Sequence, residues 1–148
     1  MFDLKMPVKE VMTDRVITVE PTTVMNKVAE IFKTHHIHHL PVVEKGKVVG
    51  IISTSEINRL EHHFTLFKSS QATEINAAIF NSLLAREVMT AQIVVIRDTD
   101  TVQFAADIFR ENLFRALPVV DDQKQLVGIL TPYDLMIYAY RSNVQSIQ

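Results

Sequence analysis

The chain has no cysteine. That absence excludes disulfides, thiolate metal sites and cysteine nucleophiles, and it fits a reducing compartment. There is no excess of basic residues either: 15 Lys and Arg against 17 Asp and Glu give a formal charge of -2 and a pI near 6.3. Domains that bind DNA or RNA show clustered Lys and Arg, so a nucleic-acid partner is disfavoured. No apolar run approaches the ~20 residues of a membrane span, and the start, Met1-Phe2-Asp3-Leu4-Lys5, lacks a basic segment followed by a long apolar stretch. The expectation is a cytoplasmic protein with no membrane partner. No Ser-His-Asp order, Gly-rich phosphate loop or paired catalytic carboxylate presents itself, so an enzyme has little support. What is present is 47% hydrophobic content in 148 residues, enough for the core of one ordinary domain.

The stretch Gly128-Ile129-Leu130-Thr131-Pro132-Tyr133-Asp134 reads as a buried strand running straight into a helix. Thr131 is the expected N-cap, Pro132 the first helical position and Asp134 the acid at the third. Such a start leaves backbone N–H groups free and carries partial positive charge, which suits an anion or a hydroxyl-bearing ligand. On its own the pattern need only begin a helix.

The pattern occurs twice, because the chain is an internal repeat. Val11-Met12-Thr13 recurs as Val88-Met89-Thr90 and Leu40-Pro41-Val42-Val43 as Leu117-Pro118-Val119-Val120, both at an offset of 77 (89 − 12; 118 − 41). Gly50-Ile51-Ile52-Ser53 recurs as Gly128-Ile129-Leu130-Thr131 at an offset of 78 (128 − 50), so one residue has been added in the turn between the last two strands. Only three glycines exist, and two of them, Gly50 and Gly128, are equivalent. Both read as positions for a bulge or close packing, and Pro41 and Pro118 as strand entries.

Each repeat reads as strand, helix, strand, strand, helix. Val16 to Val19 and Ile93 to Ile96 are short β-branched runs. Thr22 and Thr99 are candidate helix starts, followed by stripes at Val24, Val28, Ile31 and Phe32, and at Val102, Ala105, Ala106, Ile108 and Phe109. Hairpins turn at Glu44-Lys45-Gly46-Lys47 and at a solvated Asp121-Asp122-Gln123-Lys124. Closing helices run from Thr54 to at least Arg59 and from Pro132 to Tyr140. The intervening stretch holds Phe64, Leu66, Phe67, Ile75, Ala78, Ile79, Leu83 and Leu84, interrupted by Ser69-Ser70, which is too apolar for a flexible linker. One or two connecting helices are expected, with Ile75, Ile79 and Leu83 forming a face that packs on the pair or on a second subunit. The fold class is α+β, with α/β-type layers. A single repeat has too little core, so the two are expected to pack through their sheets around a pseudo-twofold axis.

The duplicated Val-Met-Thr, the Leu-Pro-Val-Val strand start and the Gly-Ile-x-Ser/Thr-x-x-Glu/Asp ending resemble tandem cystathionine-β-synthase (CBS) domains, a Bateman module. The resemblance covers nearly the whole chain, 1–148, with a first repeat over 7–60, a helical connector over 61–83 and a second repeat over 84–141. It implies a non-catalytic regulatory unit that binds adenosine-containing ligands (AMP, ADP, ATP or S-adenosylmethionine) in two clefts between the repeats and forms a disc-shaped homodimer. An adenine nucleotide would be its regulatory ligand. No catalytic cofactor is implied, and the downstream target is unnamed.

Carried over by position, the resemblance makes Asp134 the acceptor for the ribose hydroxyls, with Thr131 contributing its hydroxyl and Pro132 and Tyr133 standing at the helix start beside it. A carboxylate is acceptor-only and a vicinal diol supplies two donors. Basic residues are expected just before the Leu-Pro strand. Here those positions hold His38 and His39, and Arg115 with an uncharged Ala116, and Arg115, His38 and His39 are expected to converge on phosphates at the cleft built on Asp134. Binding should then strengthen as pH falls through the histidine range near ~6.5. Apolar walls for the base are expected around Val16, Ile17, Ile93 and Val94. The second cleft departs from the family pattern: Ser53, Ser55 and Glu56 form its helix start, Glu replacing Asp, with Thr18 before Glu20-Pro21.

Two alternatives come from other classes. One is a structural dimerisation module whose clefts are empty. The other is a metal-binding regulator using the cluster His35, His36, His38 and His39, of which His35 and His39 have helical i, i+4 spacing. The spacing argues against the second, since His39 is expected to lie at the strand entrance beyond the helix end, and no metal ligand is assigned.

Overall fold

In the computed structural model residues 2–65 and 72–144 are described, the side chains at 63–65, 72, 73 and 142–144 excepted. Phe64, Leu66, Phe67, Ser69 and Ser70 of the expected connector therefore lie outside the described side chains. The chain forms α1 (Met25–His35), β1 (His39–Glu44), β2 (Lys47–Ser53), α2 (Thr54–Thr65), α3 (Ala72–Ser82), α4 (Ala85–Val88), β3 (Ile96–Arg97), α5 (Val102–Arg110), β4 (Leu117–Val120), β5 (Leu126–Leu130) and α6 (Pro132–Val144), after a 3-10 turn at Val8–Glu10. The mixed elements form an α+β fold, and the chain divides into two compact units that cut across the sequence repeats. One joins the segment up to Val16 with everything from Ile93 onward; the other is Ile17–Gln92. They are called here the Asp134 unit and the Glu56 unit.

In the Asp134 unit β4 is central in the order β3-β4-β5. It pairs parallel to β3 through Val119 and Val120 and antiparallel to β5 from Leu117 opposite Leu130. Pro118 has no N–H to donate, and it is tolerated in a central strand because β3 reaches only as far as Val119. The core gathers Val8, Ile96, Ala105, Leu117, Val119 and Leu130. Val8 belongs to the N-terminal segment and is fully buried. The segment docks by strand-like bonds: Thr13 N–H donates to the Ile129 carbonyl (3.0 Å) and Ile129 N–H to that of Thr13 (2.9 Å).

The Glu56 unit repeats the plan with one strand fewer. β1 and β2 form a hairpin closed by Lys45 and Gly46, both at positive φ (51° and 80°), as a two-residue primed turn requires. Its core includes Met25, Val28, Phe32, Leu40, Val42, Ile52, Ile57, Phe80 and Ala85. Ala85 is the repeat equivalent of Val8, and it too is fully buried. Thr90 N–H donates to the Ile51 carbonyl (2.9 Å) and Ile51 N–H to that of Thr90 (3.0 Å).

Several expectations are corrected. Val16 to Val19 forms no strand: only Val19 bridges in parallel to Val42, because the chain turns at once through Glu20, whose carbonyl accepts from Thr23 N–H (3.0 Å). Ile93 to Ile96 likewise contributes only Ile96, in the two-residue β3, which pairs from Val119 onward; the residue before Val119 is Pro118, which has no N–H to donate. The helices begin three residues after Thr22 and Thr99, at Met25 and Val102. Thr101 caps the second through its side chain, accepting from Phe104 N–H (3.2 Å), while Val24 at the equivalent N-cap has no side-chain bond and is exposed. In the connector α2 continues to Thr65 and α3 buries Phe80, with Ile79 and Leu83 half-buried and Ile75 exposed. In the second hairpin Asp121 is half-buried, and its Oδ1 accepts from Gln123 and Gln125 N–H (both 2.9 Å) instead of standing in solvent.

Candidate functional site

At the start of α6 the threonine and the aspartate lock together. Asp134 Oδ2 accepts from Thr131 N–H (2.8 Å) and from the Thr131 hydroxyl (2.7 Å), the reciprocal geometry of a capping box. The cap settles the orientation of the carboxylate. Its other oxygen, Oδ1, receives only a long bond from the Thr13 hydroxyl (3.4 Å). That distance is beyond the usual O–H···O range, so Oδ1 keeps most of its acceptor capacity. In the first turn Pro132 has no N–H to offer, and the Asp134 N–H donates to the Thr131 carbonyl (3.1 Å). Pro132 and Tyr133 are exposed, and Tyr133 presents 65% of its surface.

The residues expected around Asp134 in its own unit fall in two groups. Register sets Leu117 against Leu130, so one step further Ala116 stands level with Thr131, with Arg115 exposed just before it. Ala116 is buried and Arg115 is available to a ligand. Ile93 and Val94 are half-buried, and Val94 packs on the core; Val16 is half-buried as well. An open groove of about 390 Å³ runs beside α6, lined by Glu10, Val11, Met12, Tyr133, Asp134, Ile137, Tyr138 and Arg141.

The Glu56 unit repeats the cap with a longer acid. Glu56 Oε2 accepts from Ser53 N–H (2.7 Å) and from the Ser53 hydroxyl. The extra methylene is absorbed without loss of the cap. Ser55 is exposed, Ile17 packs on this unit's core and Thr18 is exposed. His39 registers against Ser53, and the carbonyl of exposed His38 accepts from Thr54 N–H (3.1 Å), so both histidines flank this unit's own helix start. The matching groove, about 290 Å³, is lined by Glu56, Arg59, Leu60, Leu83, Glu87 and Val88, and Glu87 is committed to Leu84 N–H (2.8 Å). Among the described residues no three His, Asp or Glu side chains gather closely enough to hold a metal ion.

Sequence reasoning missed what the duplicated Val-Met-Thr does. A Cβ on Gly128 would collide with the Met12 side chain, and one on Gly50 with that of Met89. Each glycine follows a β-bulge, the register shifting opposite Val42/Val43 and Val119/Val120. The missing Cβ admits the methionine of the segment that precedes the other repeat. The signal was available, since methionine and glycine are duplicated together.

These features define a class: a tandem α+β repeat protein with a capped, carboxylate-bearing helix start in each copy. The chain belongs to the CBS domain family, which it matches over residues 8–63 and 85–141. It is 30% identical over 151 residues to the uncharacterized protein MJ1426 of Methanocaldococcus jannaschii, covering 88% of this chain and 89% of that one. It is 29% identical to a homoserine O-acetyltransferase of Methanocorpusculum labreanum, but spans only 24% of that enzyme against 89% of itself. Against MJ1225 of M. jannaschii it spans 46%. Among solved structures, CBSX2 of Arabidopsis thaliana in complex with AMP superposes with a TM-score of 0.75 at 27% identity, covering 93% of this chain and 98% of that one. The CBS domain pair of MJ0100, in complex with 5-methylthioadenosine and S-adenosyl-L-methionine, gives 0.72 at 26% identity over 93% and 98%. The chain is thus a tandem CBS pair, a non-catalytic domain.

Proposed function

We propose that the chain is a regulatory module that senses an adenosine-containing molecule, held at the start of α6 with Asp134 as acceptor for the ribose hydroxyls. The observation that carries this reading is the divided carboxylate: Oδ2 is fixed by the cap while Oδ1 is held only by the long bond from Thr13. A preoriented acceptor costs a ligand no side-chain ordering. Thr131 borders the ribose, with Pro132 and Tyr133 at the same helix start. Val16, Ile93 and Val94 are assigned to the base. Arg115 is assigned to a phosphate, whose oxygens a guanidinium fork matches, while His38 and His39 flank the helix start of the Glu56 unit. The complexes of CBSX2 with AMP and of MJ0100 with 5-methylthioadenosine and S-adenosyl-L-methionine support this ligand class. Regulation follows by population shift, the ligand favouring whichever arrangement binds it more tightly.

For the Glu56 unit a second reading is favoured by one observation. Its carboxylate is engaged twice by Ser53, and among the described residues no bond from Thr90 meets it. Its start is read as structural. Isothermal titration of ligand-stripped protein with AMP, ADP, ATP and S-adenosylmethionine, repeated with Asp134→Ala, tests the whole. Heat lost in the variant supports the sensing site. No heat with any of them, and no change in melting temperature, turns the reading to an empty dimerisation module.

A further inference from the structure

The chain has six methionines and no cysteine, so thioether sulfur is the only sulfur an oxidant can meet. Two of the six are seated over glycines. The Met12 sulfur stands where a Cβ on Gly128 would be, and the Met89 sulfur where one on Gly50 would be. Both side chains are half-buried, and each packs against its own unit's core. Their access differs. Met12 lines the open groove of about 390 Å³ beside α6, together with Glu10, Asp134 and Arg141. The matching groove of the Glu56 unit is lined by Glu87 and Val88, the two residues before Met89, and not by Met89 itself. Of the other described methionines, Met25 is fully buried and Met6 half-buried, while Met136 exposes 56% of its surface and sits over neither glycine.

We infer that Met12 is an oxidation site, through which a hydroperoxide undocks the N-terminal segment from β5. With hydrogen peroxide the step is complete in itself. The thioether lone pair attacks one peroxide oxygen, the S–O bond forms as the O–O bond breaks, and the proton on the transferred oxygen joins the departing hydroxide as water. The sulfur is oxidised by two electrons and the peroxide reduced; a reductase acting on methionine sulfoxide restores the thioether. The product suits its seat badly. A thioether is apolar enough to lie against the Gly128 backbone and the cluster of Val8, Leu117 and Leu130, whereas a sulfoxide oxygen is an acceptor that needs a donor. Turned inward, the oxygen meets the backbone that already excludes a Cβ; turned outward, it draws the sulfur into the groove. What moves with Met12 is Thr13. That residue makes both strand-like bonds to Ile129 and brings its hydroxyl to Asp134 Oδ1 (3.4 Å). Unseating the sulfur loosens those bonds and takes the hydroxyl from the carboxylate, whether or not a nucleotide binds there.

Treatment of the full chain with hydrogen peroxide, followed by peptide mass mapping and amide hydrogen exchange, tests it. Met12 is expected to gain its oxygen well before Met89, and Met25 last. In the oxidised protein the Thr13 and Ile129 amides should exchange at least about tenfold faster, with those of Thr90 and Ile51 unchanged, and methionine sulfoxide reductase should reverse the change. Met12→Leu, a volume-conserving swap that takes no oxygen, should keep both amides protected in the same peroxide, while Met136→Leu should lose protection as the wild type does. The mapping and exchange of the wild type need no variant, and they decide the matter even where Met12→Leu does not fold. Oxidation of Met12 no faster than that of Met89, unchanged exchange once Met12 is oxidised, or an equal loss of protection in Met12→Leu would overturn the inference.

Discussion

Around Thr131 and around Ser53 the backbone does the same thing, yet the two carboxylates end in different company. Both acids close a capping box. Asp134 has the Thr13 hydroxyl at its second oxygen, reached from the N-terminal segment docked on Ile129. Glu56 sits beside the same docking, made by Thr90 on Ile51, with no such bond among the described residues. A duplicated scaffold thus leaves one copy free to keep the stabilising half of a motif while the other carries the acceptor. On the proposed reading, capping uses one oxygen of Asp134 and the ligand the other.

The largest effect concerns what the two units share. Gly128→Val drives a side chain into Met12, and Gly50→Val one into Met89. Each is expected to cost about 3 kcal/mol in urea denaturation. Pairing Gly128→Ala with Met12→Ala should recover part of the loss, because adjacent overpacking and truncation do not add. Unchanged midpoints in the valine variants would remove the lock from the account.

Next comes the contrast between the acids. Asp134→Ala should weaken the adenosine ligand by at least about tenfold, roughly 1.4 kcal/mol, in a titration where Glu56→Ala leaves the affinity as it was. Equal losses in both would make the units functionally alike and contradict the division proposed above. A smaller effect separates ligands: Arg115→Ala should weaken AMP by about tenfold, since it removes the guanidinium assigned to the phosphate, and leave 5-methylthioadenosine, which has no phosphate, as it was. Equal losses for both ligands in parallel titrations would withdraw Arg115 from the phosphate. Smallest are the paired caps at equivalent positions, where Thr101→Ala should lose about 1 kcal/mol and Val24→Ser gain a similar or smaller amount. Opposite signs are expected, and chemical denaturation reads them.

Much of this was legible in the residues. The repeat placed both hairpins, and the Thr131-Pro132-x-Asp134 pattern placed its cap because that chemistry is local: every partner lies within three residues. Where local signals competed, reading went astray. Thr22, Thr23, Thr99 and Thr101 all suit a helix start, and only Thr101 caps one through its side chain. The β-branched runs at Val16 and Ile93 looked like strands, but a strand needs a neighbour, and one bridge and two residues are all that pair. Least legible was the destination of the segment around Val8 and Met12. No periodicity states which sheet an apolar residue enters when its partners, Leu117 and Leu130, are more than a hundred positions away.

That exchange of segments bears on how such a chain arises. A single ancestral repeat would carry its own Val-Met-Thr wedge and its own glycine notch, but the wedge fills the notch of the other copy. Two separate copies would complete each other by trading wedges, as in a domain swap. Fusing them end to end makes the trade permanent, and cutting the chain between Ser82 and Ala85 would return each half to needing its counterpart.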